Sequence, residues 1–226
     1  MNKPRIADLF CGAGGAGMGL HQAGFEVVGF DIKPQSNYPF EFHQEDALTV
    51  DLRGFNAVWA SPPCQKWVDP NSGHDRGHPD LIAPSRDLLL GSGLPYVIEN
   101  VELAPLLEPF TLCGTMFDLR VIRHRLFETH PHIFGLTPPC NHWGRVSTGE
   151  FAAVYGRGGK GPRRGRDANG NKVRDARPLT CGPDPFKAMG IDWMNWKELT
   201  QAIPPAYSEW IGRQLMLSMG LTPPTP

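Results

Sequence analysis

The stretch RIADLFCGAGGAGMGLHQA (residues 5–23) decides the fold. RIADLF (5–10) is an apolar strand-like run, a glycine cluster follows, and a helix is expected near 16–23. The same alternation continues outward. FEVVGFDI (25–32), NAVWA (56–60) and PYVIENV (95–101) read as strands, with a helical stretch near 80–91. Strands and helices alternating at this spacing predict an α/β fold, a doubly wound and mostly parallel Rossmann-like sheet. The character changes after about residue 130. Residues 131–183 are rich in Gly, Pro and Arg with little periodicity, and read as a small irregular insertion. Patterning returns in DPFKAMGI (184–191) and NWKEL (195–199), both short helices by this reading. PAYSEWIGRQLMLSM (205–219) is an amphipathic helix started by proline, with Tyr207, Ile211 and Leu215 on one face. Residues 1–130 and 184–226 are thus expected to form one domain, interrupted by 131–183.

The 226 residues carry 40% hydrophobic side chains, enough for one sizeable core. A net charge of −1 excludes a globally basic nucleic-acid binder but leaves room for a local patch. The five cysteines (11, 64, 113, 140, 181) form no CxxC pair, the N-terminus is not signal-like, and no apolar run suffices to span a bilayer. A soluble cytoplasmic monomer with reduced thiols is expected.

Within the opening stretch, Gly12-x-Gly14-Gly15-x-Gly17 satisfies the GxGxxG dinucleotide pattern, and Asp31 ends the next strand about 20 residues on. The glycines let a ligand approach the backbone, and the acid can take two ribose hydroxyls. By itself the pattern fits NAD and S-adenosylmethionine equally, and also a turn kept only for tight packing. Asp46, after a third strand-like position, could accept an adenine amino group or cap a helix.

Three further clusters fall at or after strand ends: SPPCQ (61–65), ENV (99–101) and IRHRLFE (122–128). The carboxyl ends of strands in an open parallel sheet line one crevice, so Cys64 and Glu99 are expected to face each other there beside the glycine turn. Taken singly, Cys64 could be an inert thiol, Glu99 a surface carboxylate, and Arg123 and Arg125 a solvated face. PPCNHW (138–143), with His130 and His132 upstream, has no second cysteine at metal-like spacing, and no metal site is expected.

DLFCGAGG, SPPCQ, ENV and RHRLFE, in that order, resemble the motifs of the cytosine-5 DNA methyltransferases. MGIDW and LTQAIPPAY (within 189–207) resemble that family's C-terminal motifs, which close the cofactor pocket. The resemblance covers roughly 5–130 and 184–215, and the compact form is similar to phage and prophage members. It implies S-adenosylmethionine as cofactor, held by Asp8, Phe10, Gly12, Ala13, Gly14, Gly15, Asp31, Ile32, Asp46, Ala47, Pro63, Gln201 and Ala202. It implies double-stranded DNA as partner, Cys64 as nucleophile and Glu99 as the acid on the base. Arg125 and Arg123 would hold the base carbonyl and nearby backbone. Gln65 and Lys66 would touch DNA, within a polar loop (65–80) suited to closing over a flipped base. Two departures stand out: Val121 replaces the glutamine expected before the arginines, and Thr200-Gln201 replaces Gly-Asn.

Residues 156–177 carry eight basic side chains against two acidic. Arg157, Lys160, Arg163, Arg164 and Arg166 are expected to contact phosphates. The other reading is a disordered basic loop that orders only on DNA. Three further functions compete: methylation of tRNA, an NAD-dependent oxidoreductase, which leaves SPPCQ and ENV unexplained, and a non-catalytic DNA-binding module.

Overall fold

A computed structural model describes residues 3–67, 78–133, 138–155, 163–166, 172–175 and 182–225. Its centre is a seven-stranded sheet. In chain order the strands are β1 (Arg5–Leu9), β2 (Glu26–Asp31), β3 (Glu41–Gln44), β4 (Ala57–Ala60), β5 (Tyr96–Asn100), β6 (Phe110–Leu112) and β7 (Arg125–His130). Their spatial order is β3-β2-β1-β4-β5-β7-β6. The first five are parallel, with Ile6 opposite both Val27 and Ala57. β7 runs antiparallel to both β5 and β6. The chain order reverses between β1 and β4, which opens the crevice where such sheets bind ligands.

The helices are α1 (Gly15–Ala23), α2 (Ile82–Ser92), α3 (Pro185–Met189), α4 (Trp196–Leu199) and α5 (Pro205–Ser218). Strand alternation divides the core into two layers. Ile6, Val27, Trp59, Val97 and Phe127 pack under α1 and α5, against Leu20, Tyr207, Ile211 and Leu215. Ala7, Leu9, Val28, Val58 and Ile98 face the other way, against Ile82 and Leu89 of α2. The three residues expected on one face of α5 are all fully buried. Pro205 opens that helix, where its missing N–H costs nothing, and Gly24 closes α1 at φ 113°.

α1 and α5 meet through small residues. A Cβ added at Gly19 would overlap Pro205, Ser208 and Glu209 of α5, and one at Gly212 would lie 2.8 Å from Ala23. The Ser208 hydroxyl donates to the Ala16 carbonyl at 2.8 Å across the same seam.

The inserted segment is not wholly separate from this core. Val121 bridges to Ala152, and both are buried with Val154, Ala13, Met189 and Leu199. Further along, β8 (Arg163–Arg166) pairs antiparallel with β9 (Lys172–Asp175), in the register Arg163 to Asp175 and Arg166 to Lys172. Among the described residues, no helix is long and apolar enough to cross a membrane.

Candidate active site

The glycine turn leaves β1 through a left-handed backbone: Phe10 at φ 56°, Gly12 at 50° and Gly14 at 84°, the last serving as cap of α1. Gly14 and Gly15 have no room for a side chain. A Cβ there would press on Pro39 and Tyr38, or on Ile203 and Ala202. Gly12 differs, because nothing lies within 4 Å of where its Cβ would be. That side of the turn opens to empty space rather than to the core. Asp31, at the end of β2, accepts from the Gly12 N–H at 3.1 Å and the Lys33 N–H at 2.9 Å, and stays partly exposed. Ile32 beside it is 65% exposed, an apolar surface at the crevice mouth.

Other expected cofactor residues sit around this turn in different ways. Asp8 is fully buried behind it: Oδ2 accepts from the Tyr38 hydroxyl at 3.0 Å, while Oδ1 has no partner. Burial raises the Asp8 carboxyl to about 7. Ala13 is buried, and its carbonyl accepts from Trp193 Nε1 at 2.8 Å, which fastens the segment before α4 onto the turn. Asp46 is exposed, and its Oδ1 accepts from the Leu48 N–H in a local turn with no helix to cap, while Ala47 is buried in the α2-side core. Gln201 is exposed and Ala202 half-buried against Gly15.

Across the crevice, β4 ends at Ala60 and hands the chain to Ser61, whose N–H bonds the Leu9 carbonyl of β1 at 3.1 Å. Pro62 and Pro63 stiffen the short stalk that carries Cys64. Asn100, at the end of β5, donates from Nδ2 to the Pro62 carbonyl at 2.8 Å. This bond anchors the stalk, a role that nothing in the ENV motif announces for Asn100. Cys64 is part-buried, and its carbonyl accepts from the Trp67 N–H at 2.8 Å. Gln65 and Lys66 are exposed beyond it, with the Lys66 ammonium 3.8 Å from Asp80; residues 68–77 of the expected closing loop lie outside the described residues.

Arg125, Glu99 and Arg123 all act electrostatically on this thiol. Glu99 Oε1 lies 3.1 Å from Arg125 Nε, and the Ser61 hydroxyl donates to the same carboxylate. Burial raises the Glu99 carboxyl, against the pull of Arg125, Ser61 and Arg123. Burial likewise raises the Cys64 thiol, with Arg125 pulling it down and Glu99 pushing it up. All four side chains therefore share one electrostatic environment at the ends of β4, β5 and β7.

Arg123, expected at the base carbonyl and the nearby backbone, is bonded to backbone. Its Nη1 donates to the Val154 carbonyl at 3.0 Å and its Nη2 to the Thr200 carbonyl at 2.8 Å, and the Tyr207 hydroxyl donates to its own carbonyl at 2.6 Å. It is 8% exposed, and burial lowers its pKa to about 9. With both terminal nitrogens on carbonyls, Arg123 ties the inserted segment to the segment before α5, while its Nε is buried without a partner. The two sequence departures become intelligible here. Val121 fills the apolar cluster, where an amide would need partners. Position 200 works through its carbonyl, which any residue supplies.

Arg163, Arg164 and Arg166 lie on β8, while Arg157 and Lys160 fall outside the described residues. His130 and His132 are exposed, but His142 of the PPCNHW stretch meets Cys113 and His124, a grouping that the sequence spacing does not suggest.

No family model matches the sequence, and no curated protein is similar to it in sequence. Solved structures do match in shape. A candidate DNA modification methyltransferase encoded within an E. coli prophage superposes with a TM-score of 0.61 at 14% identity, over 96% of this chain and 99% of that one. The Entamoeba histolytica methyltransferase EhMeth gives 0.59 at 13% identity, over 97% and 99%. S. pombe Dnmt2 methyltransferase gives 0.54 at 14% identity, over 97% and 100%. At such identities the likeness is one of fold, and the chain has the fold of these compact methyltransferases.

Proposed function

We propose that the chain methylates C5 of cytosine in double-stranded DNA, with S-adenosylmethionine as donor. The observation that carries the proposal is that Cys64, Glu99 and Arg125 lie at the same end of the parallel strands as the glycine turn that leaves β1. The cofactor fits the turn on local grounds. The open side of Gly12, the Asp31 carboxylate for the ribose and the bare Ile32 side chain for the adenine form a cradle for an adenosine. Bound there, S-adenosylmethionine supplies an electrophilic methyl group.

Cytosine C5 is a poor nucleophile. Addition of the Cys64 thiolate to C6 makes the ring an enamine whose C5 can take the methyl group. Glu99, paired with Arg125 at rest and raised by burial, can take up a proton as the base enters, donate to N3 and stabilise the charge that develops. Arg125 carries the base carbonyl, while Arg123 and Asn100 hold the frame. Loss of the C5 proton to water, return of the N3 proton to Glu99 and expulsion of the Cys64 thiolate then restore the aromatic ring. C6 is out of reach inside a duplex, so the base must leave the stack.

The test is DNA carrying 5-fluorocytosine, in which fluorine blocks the final elimination. Wild type should form a covalent adduct, and Cys64→Ser should form none while still binding S-adenosylmethionine. An adduct in Cys64→Ser would remove Cys64 from the mechanism. Transfer to tRNA but not to duplex DNA would keep the chemistry and overturn the substrate.

A further inference from the structure

Cys113, His124 and His142 come from three separate parts of the chain. Cys113 follows β6 and is fully buried; His124 lies between the two site arginines and is half-buried; His142 belongs to the inserted segment and is exposed. Their donor atoms nevertheless all lie within 4.8 Å of one another. Cys113 Sγ is 3.4 Å from His142 Nε2. The imidazoles of His124 and His142 are tilted against each other, with centroids 5.1 Å apart.

The geometry points to a zinc site formed by these three side chains. Zinc bonds of about 2.3 Å to sulfur and about 2.0–2.1 Å to nitrogen set a sulfur-to-nitrogen edge of roughly 3.5 Å in a tetrahedron; the Cys113–His142 edge is already 3.4 Å, and the ion would draw His124 in from within 4.8 Å. One thiolate with two imidazoles selects zinc over magnesium or calcium, which prefer oxygen donors. The surroundings suit the assignment. Glu102 Oε1 lies 3.6 Å from His124 Nδ1, within a small rotation of the hydrogen bond that a ligating histidine gives a carboxylate. The Thr115 hydroxyl donates to Cys113 Sγ at 3.5 Å and accepts from the Asn141 N–H at 3.1 Å, holding the approach of the His142 segment. Water takes the fourth position.

Zinc here joins the inserted segment to the arginine pair. His142 would be bonded, through the metal, to the residue between Arg123 and Arg125. The ion is a staple that fixes where the insertion leaves the crevice, and its binding does not depend on the methyl-transfer reading.

Cobalt(II) is the probe, because thiolate ligation gives it a charge-transfer band. The full chain, stripped with chelator, should take up one Co²⁺ with that band and exchange it for Zn²⁺, which binds more tightly. Cys113→Ser should abolish the band. His142→Ala, at an exposed position where folding is not at stake, should weaken binding more than about tenfold, beyond the low end of what losing an outer partner of a ligand causes. Cys140→Ser should change neither. Zinc should also slow tryptic cleavage after the exposed Arg145, in wild type but not in His142→Ala. A chain that takes up no cobalt, a band that survives Cys113→Ser, or a band lost in Cys140→Ser would overturn the site. Cleavage indifferent to zinc would overturn the staple. Adduct formation through Cys64 is read separately, so either proposal can fail alone.

Discussion

Cys64 sits in a conflict that its neighbours define. Burial raises its thiol, Arg125 favours the thiolate and Glu99 opposes it, and the balance leaves the resting group protonated at neutral pH. On the proposed function, a thiol held in reserve suits a nucleophile that must not react before a base arrives. The sign follows from the charges. Alkylation of Cys64 by iodoacetamide, followed at that peptide by mass spectrometry, should rise only above the ordinary thiol range near pH ~8.5. Glu99→Gln removes the opposing charge, so the midpoint should move to lower pH, while methyl transfer falls by on the order of 10²–10⁴ with loss of the acid. Arg125→Ala should move the midpoint the other way. A Glu99→Gln profile that coincides with wild type would mean that the carboxylate does not act on the thiol.

At the scale of elements, the seam between α1 and α5 positions the cofactor turn, because α1 begins at Gly15 and α5 begins two residues after Ile203, which presses on Gly15. Two glycine substitutions should therefore act with opposite sign. Gly19→Ala forces a methyl group into α5, should cost about 1–3 kcal/mol of stability, and should weaken S-adenosylmethionine binding as the turn shifts. Gly91→Ala, exposed in α2 with open space around it, should gain about 0.5–1 kcal/mol. Urea midpoints measure both, and a destabilised Gly91→Ala would contradict the packing described. α1 and α5 are legible in the sequence because glycine, proline and a 3.6-residue period mark them locally. β6 is not: Phe110–Leu112 is too short to show a period, and β7 shows itself as a motif rather than as a strand. The candidate site divides in the same way. Cys64 and Glu99 can be placed from strand ends alone. The grip of Asn100 on Pro62 and of Arg123 on Val154 and Thr200 joins residues 31 to 77 positions apart, and the meeting of Cys113, His124 and His142 follows no ligand spacing. Such contacts arise only once the sheet is assembled.

For the whole molecule, the charge of −1 conceals a division. Residues 156–177 hold eight basic and two acidic side chains, leaving 14 basic and 21 acidic residues elsewhere. An acidic body repels a phosphate backbone, so on the proposed function the attraction to DNA must be concentrated in the basic segment. The β8–β9 pairing gives part of that segment a defined backbone, with Arg163, Arg164 and Arg166 on one short strand. If these arginines neutralise phosphates, replacing all three with alanine should weaken DNA binding across sequences. It should also flatten the dependence of log affinity on log salt, by up to ~0.9 for each phosphate no longer neutralised. An arginine that grips guanine would behave otherwise: its single mutant would lose preference at one base position and keep most of the salt slope. Phosphate positioning is the expected outcome, since a four-residue strand containing a glycine offers little rigidity for reading a base edge. The measurement is a salt titration of duplex binding for wild type and triple mutant. Equal affinity and equal slope would reduce β8 to a connector. Recognition would then rest with Asn141, Trp143 and Arg145, exposed beside the Cys113 cluster, where DNA affinity would follow zinc rather than the arginines of β8.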